Sequence, residues 1–215
     1  MPLGEAVGLV FIVDDDPAVG IAVQRLLDSV GLPSETFVRA DEFLSRLPSD
    51  VPSCLIADVR MPGMSGLELQ RTLQGEFEMP VIILSAHLDV TQAVRAMRGG
   101  ASAVITKPFN DQDLLDAVQG ALDIDSERRQ QKRDLTQLAA RYDTLTARER
   151  EVMSLVVTGL MNKEIAATLG TSEKTIKVHR ARVMQKMKVD SLVALLRVAD
   201  RLSGADRHHS VDVRS

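Results

Sequence analysis

The chain is poor in the residues that cross-link, anchor or export a protein. Only one of its 215 residues, Cys54, is a cysteine, so neither an intrachain disulfide nor a cysteine-based zinc site can form. Cys54 lies inside an apolar run and reads as a buried, inert thiol. No apolar stretch approaches the roughly 20 residues that a membrane-spanning helix needs. The opening MPLGEAVGLVFIVDDD has no basic leader and reaches acid at once, which argues against a signal peptide. A soluble, cytoplasmic protein is expected. Net charge is small, at −4, but unevenly spread. Residues 1–123 carry 8 Lys/Arg against 18 Asp/Glu, residues 124–143 carry 5 against 4, and residues 144–215 carry 13 against 8. An acidic first half and a basic last third suggest two modules with different partners.

What is present in the first half is an alternation of short apolar runs and helical periodicities. Leu9–Val13 reads as a strand ending in Asp14-Asp15-Asp16. Asp16 is a plausible N-cap and Pro17 suits the first turn of a helix that Gly31 stops. Ser34–Val38, Cys54–Ala57, Pro80–Leu84 and Ser102–Thr106 read as further strands. Helices are expected at Asp41–Leu47, from Leu67, at Val90–Met97 and at Asp111–Leu122. Five strand–helix alternations imply a parallel sheet with helices on both faces, and strands this apolar need covering on both sides.

Residues 124–143 lack proline and glycine and are rich in Gln, Arg and Lys, as a continuing helix would be. Leu135, Leu138, Tyr142 and Leu145 recur at helical spacing, either as a seam pairing two chains or as a face packed on the chain's own domains. Thr146 to Glu149 forms a capping box for the next helix. Asn162, Ser172 and Ser191 are positioned to cap three more, Lys163–Leu169, Glu173–Met187 and Leu192–Leu202. The expected organisation is an α/β domain over 1–123, a helical linker over 124–143, an all-α four-helix domain over 144–204 and a disordered tail over 205–215. The His208-His209 pair in that tail is expected to be solvated.

Asp14-Asp15, Asp58, Ser85 and Lys107 fall at the ends of four of the five strands, and in a parallel sheet these ends share one edge, where such folds place ligands. Three carboxylates together repel unless a cation neutralises them. Mg²⁺ suits oxygen ligands and can bridge a phosphoryl oxygen; Ser85 can donate a hydrogen bond to that group and Lys107 can pair with it. Asp58, at the end of a buried strand and before a turn-rich loop, is the candidate phosphoryl acceptor.

The pieces IVDDD, IADVRMPGMSGLEL, VIILSAH, AMRGGA and ITKPF resemble a CheY-like receiver domain of a two-component response regulator. The resemblance implies a flavodoxin-like fold of strand order 2-1-3-4-5 and phosphorylation of Asp58 by a sensor histidine kinase. It implies Mg²⁺ held by Asp14, Asp15, Asp58 and the backbone carbonyl of Arg60. Ser85, Lys107 and the Ala86 N–H would hold the phosphoryl oxygens, and the Lys107–Pro108 peptide would be cis. One position departs: Val104 stands where the family often has an aromatic residue that swings with the Ser/Thr.

In the last third, helix, turn and helix around Gly170 have helix-turn-helix spacing, and the helix Glu173–Met187 is basic. LTARERE and GLMNKEIAATLGTSEKTIKVHRARVMQKMKV resemble the LuxR-type helix-turn-helix, which the FixJ/NarL class of regulators joins to a receiver. The resemblance makes Glu173–Met187 the recognition helix on double-stranded DNA. Lys177 and Val178 match groove-facing positions, with Arg180, Ala181 and Arg182 near the groove and Lys163 and Thr175 as backbone contacts. The last helix, with Leu192, Leu195, Leu196 and Ala199, resembles a dimerising helix and can equally be core.

The expected function is a transcription regulator, not an enzyme, that is switched by phosphorylation of Asp58. It would dimerise when phosphorylated and have RNA polymerase as a further partner. Two alternatives differ in class. In a haloacid-dehalogenase-like phosphatase Asp14 would carry the phosphoryl group, but Ala18 stands where that family wants Thr or Val. In the other, the helical module binds protein without touching DNA.

Overall fold

The computed structural model describes residues 8–47, 49, 51–86 and 90–209. Its first compact unit ends at Arg129 and its second begins at Gln130. In the first unit the apolar runs become five parallel strands, β1 (Leu9–Val13), β2 (Ser34–Phe37), β3 (Ser53–Asp58), β4 (Val81–Ser85) and β5 (Ala103–Thr106). Their order is β2-β1-β3-β4-β5. Between and after them come α1 (Pro17–Ser29), α2 (Ala40–Arg46), α3 (Gly66–Glu76), α4 (Val90–Arg98) and α5 (Asp111–Asp143).

Alternation along each strand divides the core in two. Phe11, Val13, Leu55, Ala57, Val81 and Ile83 pack with Phe43 of α2, Leu69 and Leu73 of α3 and Ala96 of α4. Val10, Ile12, Cys54, Ile56, Ile82 and Leu84 face the other way, onto Val23 and Leu27 of α1 and Leu114 and Val118 of α5. Both faces are covered, as strands without polar alternation require. Burial, with some help from Asp125, pushes the Cys54 thiol up to about 12, so it stays protonated at neutral pH. Val104, where the resembled family often has an aromatic residue, is half-buried against the α2–α3–α4 side of the core.

Local signals end the elements where expected. Asp16 Oδ1 accepts from the Ala18 N–H at 2.9 Å, with Pro17 as the first helical residue. Gly31, after α1, has φ +75°, a conformation that favours glycine. The Lys107–Pro108 peptide is cis.

The second unit contains the end of α5 and four further helices, α6 (Ala147–Val157), α7 (Asn162–Thr168), α8 (Glu173–Met187) and α9 (Leu192–His209). Val152, Met153, Val156, Ile165, Ile176, Val183, Met187 and Leu195 form its core, joined by Leu145 and half-buried Tyr142. Leu138 is buried too, and Leu135 half-buried. Tyr142 and Leu145 of that stripe thus pack on the chain's own second unit. Two expectations are corrected. Asn162 does not cap α7: it is the first helical residue, because Glu164 Oε2 takes the Met161 N–H at 2.7 Å and so fills the capping position one residue earlier. The last helix does not stop at Leu202. Nothing after it breaks a helix, since Gly204 alone costs only about 1 kcal/mol, and α9 reaches His209. Residues 205–209 of the expected tail are therefore helical; residues 210–215 lie outside the described residues.

Among the described residues no helix is long and apolar enough to cross a membrane.

Candidate functional site

The C-terminal ends of β1, β3 and β4 bring Asp14, Asp58 and Ser85 to one edge of the sheet, where Lys107 follows β5. Asp14, Asp58 and Ser85 are buried. The Lys107 ammonium lies between the two carboxylates, 2.6 Å from Asp14 Oδ2 and 2.6 Å from Asp58 Oδ1. The other oxygen of each carboxylate accepts from backbone: Asp14 Oδ1 from the Asp16 N–H at 3.0 Å and Asp58 Oδ2 from the Arg60 N–H at 2.6 Å. Lys107 is itself tied to the sheet by its N–H, which donates to the Ser85 carbonyl at 2.8 Å.

The electrostatics are those of two acids sharing one base. Burial pushes the Asp14 carboxyl above the usual range, against the opposing effects of Lys107 and the Asp16 N–H. Burial alone would lower the Lys107 ammonium, but its hydrogen bonds to Asp14 and Asp58 outweigh this and raise it. Two carboxylates and one ammonium leave a formal charge of about −1 in a partly desolvated place, which favours a further cation. The carboxylates are hard oxygen donors of the kind that suits Mg²⁺. Asp15 is exposed. Among the described residues no three His, Cys, Asp or Glu side chains converge as they would on a metal ion.

Asp58 is held by backbone as well as by charge. The Gly66 N–H donates to the Val59 carbonyl at 3.2 Å, and a Cβ at Gly66 would lie 2.2 Å from the Asp58 carbonyl oxygen. The second glycine of the MPGMSG turn is thus a close-approach glycine that lets α3 begin against the acidic strand end. Ser65 caps that helix, its Oγ accepting from the Glu68 N–H.

In the second unit Ser172 Oγ accepts from the Thr175 N–H at 3.1 Å and starts α8. Ile176, Val183 and Met187 are its buried face. Of the candidate DNA contacts, Lys163, Lys177, Val178, Ala181 and Arg182 are exposed, while Thr175 and Arg180 are half-buried. Lys177 is 3.5 Å from Glu173, one turn earlier, and Val178 is 47% exposed, an apolar side chain left out of the core. On α9 the four named residues divide. Leu195 is fully buried, Ala199 half-buried, and Leu192 and Leu196 are exposed along with Val193.

Comparison with known proteins agrees with both halves. The family model of the response regulator receiver domain matches residues 10–119, and that of the LuxR family of bacterial regulatory proteins matches residues 143–199. This chain is a two-component response regulator. Its relatives include nodulation protein W of Bradyrhizobium diazoefficiens, 44% identical over 93% of this chain and 88% of that protein. The transcriptional regulatory protein FixJ of Azorhizobium caulinodans is 42% identical over 88% of this chain and 90% of that one. Among solved structures, the response regulator StyR is 43% identical, with a TM-score of 0.82 over 91% of this chain and all of that one. Full-length FixJ from B. japonicum is 38% identical, with a TM-score of 0.55 over 91% and 97%. The receiver match takes in Asp14, Asp58 and Lys107 together, which leaves the phosphatase reading without support.

Two charged clusters of this response regulator were not legible as sites. In the receiver unit, Asp125 on α5 is fully buried. It accepts from the Ser53 N–H at 2.8 Å, from Arg129 Nε at 2.6 Å and from Arg128 Nη2, and Arg129 Nη1 reaches the Ser49 carbonyl at 3.0 Å. This clasp ties the extension of α5 beyond Leu122 to the entrance of β3. In the DNA-binding unit, Glu149 closes the α6 capping box and takes Lys186 Nζ of α8 at 2.6 Å.

That second pair is an acid-labile brace. Lys186 first, and then the Thr146 N–H, holds the Glu149 carboxyl down to about 2, from an ordinary 4.5. A carboxyl depressed on folding stabilises above its unfolded value and loses that contribution as pH falls through its folded value. Lys186 is 33% exposed, so screening limits the worth of the pair. Glu149→Gln is expected to cost the unit about 1–2 kcal/mol at pH 7, and the difference from wild type should shrink as pH falls below 4.5 towards 2. Urea titrations followed by circular dichroism at several pH values measure this; a pH-independent difference would mean that the charge is not what matters.

Proposed function

We propose that a sensor histidine kinase phosphorylates this response regulator on Asp58, and that the modification controls the binding of its helical unit to double-stranded DNA. The observation that carries the proposal is the Lys107 ammonium bridging buried Asp14 and Asp58 at the strand ends. In the transfer, a carboxylate oxygen of Asp58 forms a P–O bond as the P–N bond of the donor phosphohistidine breaks. Ser85, Lys107 and the Ala86 N–H then hold the phosphoryl oxygens. Asp14 and Asp58 fit Mg²⁺ by donor type and residual charge, and Asp15 and the Arg60 carbonyl would complete its protein ligands. When bound, the ion neutralises charge on the phosphoryl group. Lys107 can follow that group because its flexible stem lets one ammonium exchange a carboxylate for a phosphoryl oxygen.

The exposed row of Lys177, Val178, Ala181 and Arg182 on α8 suits insertion into the major groove, with Lys163, Thr175 and Arg180 as further contacts. The exposed Leu192 and Leu196 support a homodimer in the phosphorylated state. A cytoplasmic location and contact with RNA polymerase accompany a regulator of transcription.

The test measures oligomeric state and DNA binding before and after treatment with a small phosphodonor and Mg²⁺, for wild type and Asp58→Asn. The proposal expects donor-dependent dimerisation and DNA binding in wild type alone. Equal binding by both proteins, with or without donor, would show that the receiver does not gate the helical unit. Salt-independent binding of the helical unit to its target would favour the protein-binding alternative, since phosphate contacts make DNA affinity fall steeply with salt.

A further inference from the structure

Asn162, released from the capping role, has another partner. Its Oδ1 accepts from Arg180 Nη1 at 3.1 Å across 18 residues. Asn162 is the first residue of α7 and Arg180 lies midway along α8; both are half-buried. The contact does two things. It ties the guanidinium to the start of α7. It also holds Arg180 through a neutral amide, so the full positive charge is kept. Among the described residues no carboxylate lies within 4 Å of Arg180, unlike Lys177 with Glu173. One N–H of the five on the guanidinium is used to orient it, and a planar donor fork fixed by one bond is pre-organised for an anion.

Resting on the DNA-binding reading above, we infer that Asn162 is a positioning residue. It sets Arg180 as a clamp for a DNA backbone phosphate, beside exposed Lys163, instead of as a reader of bases. The helix before the recognition helix lies across the backbone in this motif, so an arginine tied to its first residue is placed over phosphates. Phosphate contacts set register and carry no sequence information themselves.

Full-length, phosphodonor-treated protein would be titrated onto a short duplex selected by it from a random library and onto a scrambled duplex, at several salt concentrations. Arg180→Ala is expected to weaken both by a similar factor, on the order of tenfold, and to reduce the salt slope by about 0.9 per bound protomer. Asn162→Ala is expected to cost about fivefold with the slope kept, because no charge is removed. Asn162→Asp is expected to bind more weakly than Asn162→Ala and to lower the slope, because the carboxylate holds Arg180 but neutralises it. In an Arg180→Ala background, Asn162→Ala should cost nothing more.

Three outcomes overturn the inference. Arg180→Ala could alter the ratio of selected to scrambled affinity, which would make it a base reader. Asn162→Asp could bind as well as wild type. Asn162→Ala could cost as much without Arg180 as with it, which would mean a structural role; thermal midpoints of the same variants report that role directly. Wild type that fails to bind any duplex overturns the DNA-binding reading itself; wild-type binding accompanied by any of the three outcomes above overturns this inference alone.

Discussion

Asp125→Ala is expected to lower the unfolding free energy of the receiver unit by about 2–4 kcal/mol, and its thermal midpoint by roughly 10 °C. The carboxylate is fully buried, whereas the Arg128 and Arg129 side chains it holds are 29% and 25% exposed. Its loss leaves the Ser53 N–H buried without that acceptor, which costs about 1–3 kcal/mol. The two guanidinium groups lose their shared counter-charge but keep partial access to water, so their share is below that of a fully buried pair. Asp125→Asn is expected to cost less, because an amide oxygen can still accept from Ser53. The two units have separate cores, so unfolding should be followed with a probe in each. A midpoint within experimental error of wild type would show that the extension of α5 past Leu122 is held by its apolar residues alone.

Lys107→Ala should separate two events that share one site. Without the ammonium, buried Asp14 and Asp58 face each other with a formal charge of −2 instead of −1. Mg²⁺ is then expected to bind more tightly, on the order of tenfold, while the phosphodonor-driven change in oligomeric state is lost. Magnesium-dependent shifts in thermal midpoint and analytical ultracentrifugation with donor measure the two effects. The pH dependence has a definite sign. In wild type the raised Lys107 group contributes stability below its ordinary value of 10.5 and loses it as pH rises through its folded value. In the variant the Asp14 carboxyl, already raised by burial, loses the ammonium that opposes that rise, so the metal-free protein should lose stability as pH rises through the carboxylate range. Unchanged magnesium affinity would sink the assignment of Asp14 and Asp58 as a cation site. A full response to donor would remove Lys107 from the phosphoryl site.

What could be read from the chain by itself was whatever local physics controls. Apolar runs became β1, β3, β4 and β5, while edge strand β2 is mostly polar, and Asp16, Ser172, Ser191 and Thr146 capped helices because a cap needs only a hydroxyl or carboxylate and an N–H two or three residues on. Asp14, Asp58, Ser85 and Lys107 were legible as a set because each ends a strand, and parallel strands put equivalent ends on one edge. Asp15, beside Asp14 and past the end of β1, is exposed. The tertiary structure decided everything that depends on one side chain meeting another far along the chain. Asp125 looked like one more polar residue on a linker helix, yet it grips Ser53 across 72 residues. Glu149 announced a cap but not the Lys186 of another helix. Asn162 had the right chemistry for a cap and lost that place to Glu164 acting on Met161, which left its amide for Arg180. Periodicity and capping chemistry are set by neighbours within one helical turn. A partner for a buried charge is chosen by desolvation, and that depends on which surfaces the packing of helices and strands within each unit brings together.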